Sequence, residues 1–149
     1  MKIKNILVII FLIVAFVSLG FFWWQSTSYS KEVLKLEILG PKDVSVGENI
    51  EYIVRFKNNG NVRLENPELI FEYPAGAIIN SEKILLYDSE KLGGNIYPGQ
   101  ERTFKFSTRL LGEEGSIKIA KATLSFKPKD LNVRNEVYTE FLSTIKKVP

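Results

Sequence analysis

Residues 45–61 read SVGENIEYIVRFKNNGN, and this stretch contains the pattern that decides the fold. A period of two places four large hydrophobic side chains on one face of an extended chain: Ile50, Tyr52, Val54 and Phe56. The charged residues Glu51 and Arg55 fall on the opposite face. The stretch therefore predicts a β-strand with one buried and one solvated face, which runs into a turn.

The turn after this strand consists of Asn58, Asn59, Gly60 and Asn61. Glycine accepts a left-handed backbone and asparagine side chains cap exposed backbone amides, so we interpret these residues as a structural turn. A calcium site would need several convergent oxygen ligands, and this loop offers amides without an aspartate. We therefore expect no metal at the turn.

The same alternation recurs along the rest of the chain, and segments rich in Gly, Pro and Asn separate the strands. Residues predicted to share a face are Leu34, Leu36 and Ile38; Leu69, Phe71 and Tyr73; Phe104 and Phe106; and Val137, Thr139 and Phe141 in a last strand from Glu136 to Thr144. Seven or eight short strands without a convincing intervening helix predict an all-β domain of two packed antiparallel sheets.

One strand carries a phase change. Ile117 and Ile119 share one parity, whereas the hydrophobic positions that follow, Ala122, Leu124 and Phe126, have the other. If all of them face the core, one extra residue must be inserted between the two groups. The pattern therefore predicts a β-bulge near Ala120.

The chain begins with a segment of a different kind. From Ile6 to Trp24 there is no charged residue, and a helix of this length can cross a hydrocarbon core about 30 Å thick. We divide the chain into residues 1–5 in the cytoplasm, a transmembrane helix over 6–24, a linker over 25–32 and an extracytoplasmic domain over 33–147.

The flanks of the apolar segment predict its orientation. Lys2 and Lys4 precede it, and uncharged residues follow, so the amino terminus is expected to stay in the cytoplasm. The segment closes with aromatic residues suited to the membrane–water interface: Phe21, Phe22, Trp23 and Trp24. These predict a single-pass protein of the cell membrane with its carboxy-terminal domain outside.

A cleaved secretory signal is the alternative interpretation. The lysine-rich start, the apolar centre and the small residues Ser18 and Gly20 also fit a signal peptide. We prefer an anchor because the apolar segment is longer than a signal core of about 7–15 residues. Cleavage would instead yield a secreted protein.

Composition excludes several functions. The chain has no histidine or cysteine, which removes Ser-His-Asp and Cys-His catalysis and thiolate or imidazole metal sites. No spacing suggests a Ser-Lys dyad or a converging carboxylate pair. The formal charge of +3 includes Lys2 and Lys4, so the remainder is nearly neutral and predicts no nucleic-acid partner. We expect a protein without catalytic residues, cofactor or metal.

The stretch from Ser45 to Asn61 resembles the start of the DUF11 and CARDB group of prokaryotic immunoglobulin-like domains. In that group a strand beginning with a Val-Gly-Asp motif leads into an Asn-x-Gly-Asn turn, and the next strand closes on Pro-x-Gly. Pro74-Ala75-Gly76 stands at the closing position here, and Tyr97-Pro98-Gly99-Gln100 resembles a later turn. The resemblance implies an immunoglobulin-like β-sandwich over about Leu36–Leu142.

The expected function is a membrane-anchored module that binds a protein partner near the membrane surface, as an accessory of an envelope or surface assembly. The densest hydrophobic cluster outside strict alternation includes a possible partner-binding edge: Ile84, Leu85, Leu86 and Tyr87. If Leu85 is exposed there, replacing it with lysine should leave folding intact.

The alternative function is a secreted or surface structural module that binds polysaccharide or matrix. Such a module would present an exposed row of aromatic side chains. The candidates are Tyr29, Tyr87, Tyr97 and Tyr138, which are scattered along the sequence.

Overall fold

A computed structural model describes residues 2–27, 33–79 and 82–146, with the side chains of residues 22–27 outside the description. The chain falls into two compact units, Met1–Ser30 and Lys31–Pro149. The first unit contains one helix, and the second contains the sheets.

Helix α1 spans Ile3–Thr27 and extends beyond the predicted 6–24 segment at both ends. Its part from Ile3 to Phe21 is long and apolar enough to cross a membrane, a property shared by anchors and signal sequences. The Ser18 hydroxyl donates a hydrogen bond to the Val14 carbonyl at 2.8 Å, which satisfies its polar group within the helix. Phe21 is exposed, whereas the side chains of Phe22, Trp23 and Trp24 lie outside the described residues.

The second unit is a sandwich of a four-stranded sheet, in the order β1-β3-β7-β5, and a five-stranded sheet, in the order β2-β9-β8-β4-β6. The strands span Leu34–Leu39 (β1), Asp43–Val44 (β2), Asn49–Asn58 (β3), Leu64–Glu72 (β4), Ala77–Ile78 (β5), Ile84–Tyr87 (β6), Glu101–Leu110 (β7), Ile117–Pro128 (β8) and Asn135–Ile145 (β9).

This architecture confirms the predicted immunoglobulin-like sandwich. Seven strands have four or more residues, and two more have two residues each. All named pairs are antiparallel except β2 with β9, which is parallel. A four-residue helix, α2 (Ser89–Leu92), was not predicted; the Asp88 side chain accepts a hydrogen bond from Lys91 N at its start.

The core joins the two sheets through aromatic rings. The predicted face of β3 is buried, with Tyr52, Val54 and Phe56 all at 0% exposure. Phe71 of β4 stacks on Phe106 of β7 with ring centroids 4.2 Å apart, and Tyr52 lies 5.8 Å from Phe71. Because these rings come from both sheets, their contacts fix how the sheets pack.

The predicted bulge near Ala120 is wrong. Strand β8 pairs with β9 without a register shift from Ile117 to Phe126, so one parity faces inward throughout. Ala120 is buried with Ala122, whereas Ile117 and Ile119 lie on the outer face. The prediction failed because it assumed that every isoleucine faces the core.

A register shift does occur in β4, between Glu65 and Glu68. Asn66 has a φ of 47° there, in the left-handed region that asparagine tolerates better than most residues. The segment Asn66-Pro67 therefore bends β4 where it pairs with β8.

The Asn58–Asn61 turn is held by a buried side chain. Asn58 is fully buried, and its amide donates to the carbonyls of Val62 at 2.8 Å and Ile96 at 3.0 Å. Its Oδ1 accepts from Gly60 N at 2.9 Å. Asn58 therefore joins the turn to the segment before β7 and saturates its own side chain.

The left-handed backbone expected at Gly60 is wrong, since Gly60 is not among the residues with positive φ. A Cβ atom at Gly60 would clash with Val33 Cγ1. Close approach of the segment before β1 is the reason for glycine at this position.

We predict that Asn58→Ala lowers the free energy of unfolding by about 3 kcal/mol, because it removes three hydrogen bonds of a fully buried side chain. The Val62 carbonyl and the Gly60 amide lose the Asn58 partner, while the Ile96 carbonyl keeps its bond from Leu64 N. Urea denaturation of the detergent-solubilised chain, followed by circular dichroism, measures the change. The exposed neighbour provides a matched control: Asn59→Ala should change stability by less than about 0.5 kcal/mol. Equal losses in the two variants would contradict the role of Asn58.

A second prediction concerns the Tyr52 hydroxyl, which is buried and has no hydrogen-bond partner among the described residues. Burial raises the pKa of Tyr52 above 10.0, and the nearby Ser143 hydroxyl offsets part of the rise. The Ser143 hydroxyl donates its hydrogen to the Pro41 carbonyl at 2.8 Å. Tyr52→Phe should therefore leave stability at pH 7 unchanged or raise it by about 1 kcal/mol.

The same variant has a defined pH dependence. A raised pKa in the folded state contributes stability that is complete below pH 10.0 and is lost as the pH rises through the folded pKa. Tyr52→Phe should thus lose less stability than the parent chain on titration above pH 10, as measured by urea denaturation across that range. If the variant loses stability above pH 10 as steeply as the parent chain does, Tyr52 is not the source of that loss.

Candidate functional site

The outer face of the four-stranded sheet carries a concavity of about 300 Å³ lined by charged residues. Arg55 occupies its centre and forms ion pairs with Glu37 and with Glu101, the latter at 3.5 Å. Positive and negative side chains thus lie next to one another on a half-exposed surface. The concavity therefore resembles an ion-paired sheet face rather than an acid–base site.

A second concavity of about 530 Å³ borders β5 and β7 and includes Tyr73, Ile78 and Arg109. Burial raises the pKa of Tyr73, and the nearby Tyr87 adds to the rise. A raised tyrosine pKa keeps the hydroxyl neutral at physiological pH, so Tyr73 is not activated as a base. Within residues 2–27, 33–79 and 82–146 there is no group of three or more acidic residues placed to hold a metal ion.

Arg102 has a structural role at the end of the same sheet. Burial lowers the pKa of its guanidinium, which donates hydrogen bonds to the carbonyls of Gly94 and Asn95 at 2.6 Å each. These bonds attach the segment after α2 to β7. Burial thus explains the pKa shifts of Tyr52, Tyr73 and Arg102. These three residues do not combine into a catalytic arrangement.

The outer face of the five-stranded sheet is different because it exposes large hydrophobic side chains. Ile119 lies directly opposite Leu142 on β9, and Ile117 follows two residues away on the same face. Their exposed fractions are 47%, 53% and 60%, respectively. We refer to Ile117, Ile119 and Leu142 as the end patch.

A row of charges lies beside the end patch. Lys121 stands between Glu140 on β9 and Glu72 on β4, with each glutamate directly opposite it in the register. Beyond this row, Thr123 stands between Tyr138 and Ile70. Along the strands, the outer face is therefore apolar at the end patch, charged at Lys121 and partly apolar at Thr123.

The predicted edge, Ile84–Tyr87, forms β6, which is the last strand of this sheet. Its side chains alternate: Ile84 and Leu86 are 52% and 60% exposed on the outer face, whereas Leu85 and Tyr87 are half-buried on the inner face. The Tyr87 ring packs 5.8 Å from Phe104 and 5.4 Å from Phe106. Leu85 and Tyr87 therefore attach the strand to the core, whereas Ile84 and Leu86 are exposed.

The other edge strands are shorter or carry charges. Strands β2 and β5 have two residues each, and the six-residue edge strand β1 has Lys35 and Glu37 among its hydrophobic residues. Among the described strands, β6 is thus the edge that combines four consecutive hydrophobic residues with open backbone groups. Such edges are potential sites of strand addition.

The tyrosine candidates for carbohydrate binding do not form a row among the described residues. Tyr87 points into the sandwich, where Lys91 Nζ lies 4.1 Å from its ring centroid. Tyr97 and Tyr138 are exposed on a loop and on β9, respectively, and Tyr29 lies outside the described residues.

The end patch was not predicted from the sequence, because the assumed bulge placed Ile117 and Ile119 in the core. The available signal was the unbroken parity of Ala120, Ala122 and Leu124, which already defined the inner face of β8. The lysines Lys121 and Lys127 on the other parity fit the same phase.

The sandwich belongs to the structural class of immunoglobulin-like β modules, and comparisons with solved structures agree. A CARDB domain from Pyrococcus furiosus has a TM-score of 0.51 at 19% identity, and the match covers 76% of this chain and 94% of that one. The cohesin module of a Clostridium perfringens family 33 glycoside hydrolase has a TM-score of 0.51 at 20% identity, with coverages of 76% and 97%.

A third similar structure is AvmM, which catalyses macrocyclization in alchivemycin A biosynthesis; its TM-score is 0.51 at 10% identity, with coverages of 78% and 90%. No family model and no curated relative matches the chain. The predicted likeness to CARDB domains is thus confirmed in fold, and the likeness to DUF11 domains stays a prediction. Because these similar folds include a CARDB domain, a cohesin module and an enzyme, function must be argued from the site.

The alternation in β6 generates a stability prediction that revises the expectation for Leu85. Leu85→Lys should lower the free energy of unfolding by about 2 kcal/mol, because it places a charge on the inner face. Leu86→Lys should change it by less than about 0.5 kcal/mol. Urea denaturation compares the two variants, and equal losses would show that the strand does not alternate as described.

Proposed function

We propose that this chain is a membrane-anchored, non-catalytic immunoglobulin-like module that binds a protein partner close to the outer surface of the membrane. Its role would be that of an accessory in an envelope or surface assembly. The observation that carries this proposal is the edge position of β6, where Ile84 and Leu86 are exposed and no further strand pairs with β6 among the described residues.

The anchor is supported by the composition of α1. Its membrane-spanning part has no buried residue, and helix-forming hydrophobic residues without a packing partner are stable in a lipid environment. Only residues 28–33 separate α1 from β1. Six residues span at most about 20 Å, and so short a tether supports binding near the membrane surface.

Protein binding is supported by the chemistry of the exposed residues. Aliphatic side chains at a sheet edge suit another polypeptide, which supplies both hydrogen bonds and apolar contacts. Polysaccharide binding relies on exposed aromatic faces, and the inward orientation of Tyr87 removes one of the candidates. A protein partner is therefore favoured over a carbohydrate.

The experiment that tests location exploits the absence of cysteine from the sequence. Single cysteines are introduced as Ser107→Cys, on the exposed face of β7, and as Asn5→Cys, before the apolar segment, so that Lys2 and Lys4 are kept. In intact spheroplasts a membrane-impermeant maleimide should label the Ser107→Cys chain and leave the Asn5→Cys chain unlabelled. After detergent lysis both chains should react.

Mass-spectrometric mapping of the amino terminus in the membrane fraction completes the test. An intact amino terminus in that fraction, together with the expected labelling, supports a signal anchor with the sandwich outside. A soluble form that begins near Phe21 would overturn the anchor and favour the secreted alternative. Labelling of Asn5→Cys instead of Ser107→Cys in spheroplasts would reverse the proposed orientation.

A further inference from the structure

We propose that the partner of β6 is β6 of a second copy of this chain in the same membrane, paired antiparallel about a two-fold axis at Leu85. The inference deepens the proposed function and rests on it for the location of both copies. The result would be a continuous sheet of two five-stranded halves.

The backbone of β6 defines which residues can accept a partner. The Lys83 carbonyl accepts a hydrogen bond from Tyr73 N at 3.0 Å, so residue 83 directs its polar groups toward β4. Hydrogen-bonding groups alternate along an antiparallel strand. Residues 85 and 87 therefore also face β4, and the amides and carbonyls of Ile84 and Leu86 face away from the sheet.

A two-fold axis at Leu85 joins these open groups without conflict. Ile84 of one copy lies opposite Leu86 of the other, and the reverse pair forms on the other side of the axis. Both pairs place aliphatic side chains on the outer face, and Leu85 meets Leu85 of the second copy on the inner face. About four backbone hydrogen bonds form in this register.

The neighbouring register, in which Leu86 meets Leu86 of the second copy, is disfavoured by α2. It would require Asp88 to pair with Ile84, but the Asp88 carbonyl already accepts a hydrogen bond from Leu92 N at 3.0 Å. The Asp88 carboxylate also accepts from Lys91 N at 2.8 Å. Asp88 thus ends the open edge, and the axis at Leu85 is the one that pairs Ile84 with Leu86.

The sequence of β6 favours its own copy as the occupant. The four residues include no charge, no proline and no bulge, which are the features that usually prevent edge pairing. In the proposed register Ile84, Leu85 and Leu86 each meet an aliphatic residue of the other copy, whereas Tyr87 lies opposite Lys83. A partner strand of the same chemistry and length is therefore supplied by the chain itself.

Four residues on each side make a small interface, well below the roughly 1,600 Å² typical of stable soluble complexes. Two copies anchored in one membrane have a much higher effective concentration than free domains. The pairing should therefore occur in the bilayer at densities where the contact alone would be too weak in solution. Attachment to the same membrane would therefore contribute to the affinity of the two copies for each other.

The test uses single-cysteine variants of the full chain reconstituted in phosphatidylcholine vesicles. In the proposed register, Leu85 and its counterpart form a pair without mutual hydrogen bonds, with Cα atoms about 4.5 Å apart. This separation permits a disulfide. Oxidation should therefore convert Leu85→Cys largely to a covalent dimer, at least about tenfold more than the controls, as measured by non-reducing electrophoresis.

Three matched controls define the register. Ile84→Cys and Leu86→Cys each lie two residues away from their own counterparts, too far for a disulfide in this arrangement. Ile78→Cys is exposed on β5 at the edge of the other sheet and measures random collision. Dimer yields from any control equal to that of Leu85→Cys, or no dimer from Leu85→Cys, would overturn the proposal.

A charge exchange provides a second readout, in the Leu85→Cys background. Ile84→Lys with Leu86→Lys places like charges opposite each other twice, and should reduce the disulfide yield about tenfold. Ile84→Glu with Leu86→Lys creates two opposite-charge pairs across the axis and should restore the yield. Equal yields from both double variants would contradict the two-fold register.

The two proposals fail separately. Vesicle flotation reports whether the chain is held by the membrane, whatever its oligomeric state. Flotation without the Leu85 disulfide would leave the anchor intact and reject the second copy. A chain that does not float would reject the anchor whether or not the disulfide forms.

Discussion

The packing of aromatic rings between the two sheets is the interaction on which the candidate surface depends. Phe71 and Phe106 stack across the sandwich, and Tyr87 of β6 packs against Phe106 at 5.4 Å. A four-residue strand has too few hydrogen bonds to hold its position alone. Tyr87 therefore fixes β6 to the core, and this single inward ring determines which backbone groups and side chains remain exposed.

The same constraint explains why the edge is both ordered and open. Once Tyr87 points inward, the period of two places Leu85 inward and leaves Ile84 and Leu86 on the outer face. The register with β4 then assigns the free hydrogen-bonding groups to these two outward residues. Ile84 and Leu86 thus offer both exposed apolar side chains and free backbone hydrogen-bonding groups. A partner strand would contact the side chains and the backbone of the same two residues.

The strands that were predictable from sequence are those whose two faces differ in polarity. β3 alternates between hydrophobic and charged residues, so its phase follows directly from its sequence and agrees with the structure. β8 has isoleucine on its outer face, and no local rule distinguishes an exposed isoleucine from a buried one. Its phase is set by ten consecutive pairs with β9, a long-range property that periodicity does not contain.

Two local features were hidden for similar reasons. Gly60 is required by the approach of Val33, a residue 27 positions earlier, and not by its own backbone conformation. The edge position of β6 follows from sheet order, while the division of its residues into inner and outer pairs follows from contacts of Tyr87 with β7. Sequence identified the hydrophobic cluster, but tertiary contacts assign a role to each member.

An open hydrophobic edge usually promotes aggregation, and the geometry of this sandwich limits that risk. Two-fold pairing uses the β6 edges of both copies, which makes the assembly closed rather than open-ended. The other edges are less suited to extend the array, because β2 and β5 have two residues each and β1 carries Lys35 and Glu37. An exposed edge of four residues is therefore compatible with a discrete pair, and in the proposed membrane-anchored arrangement its shortness would keep the contact reversible.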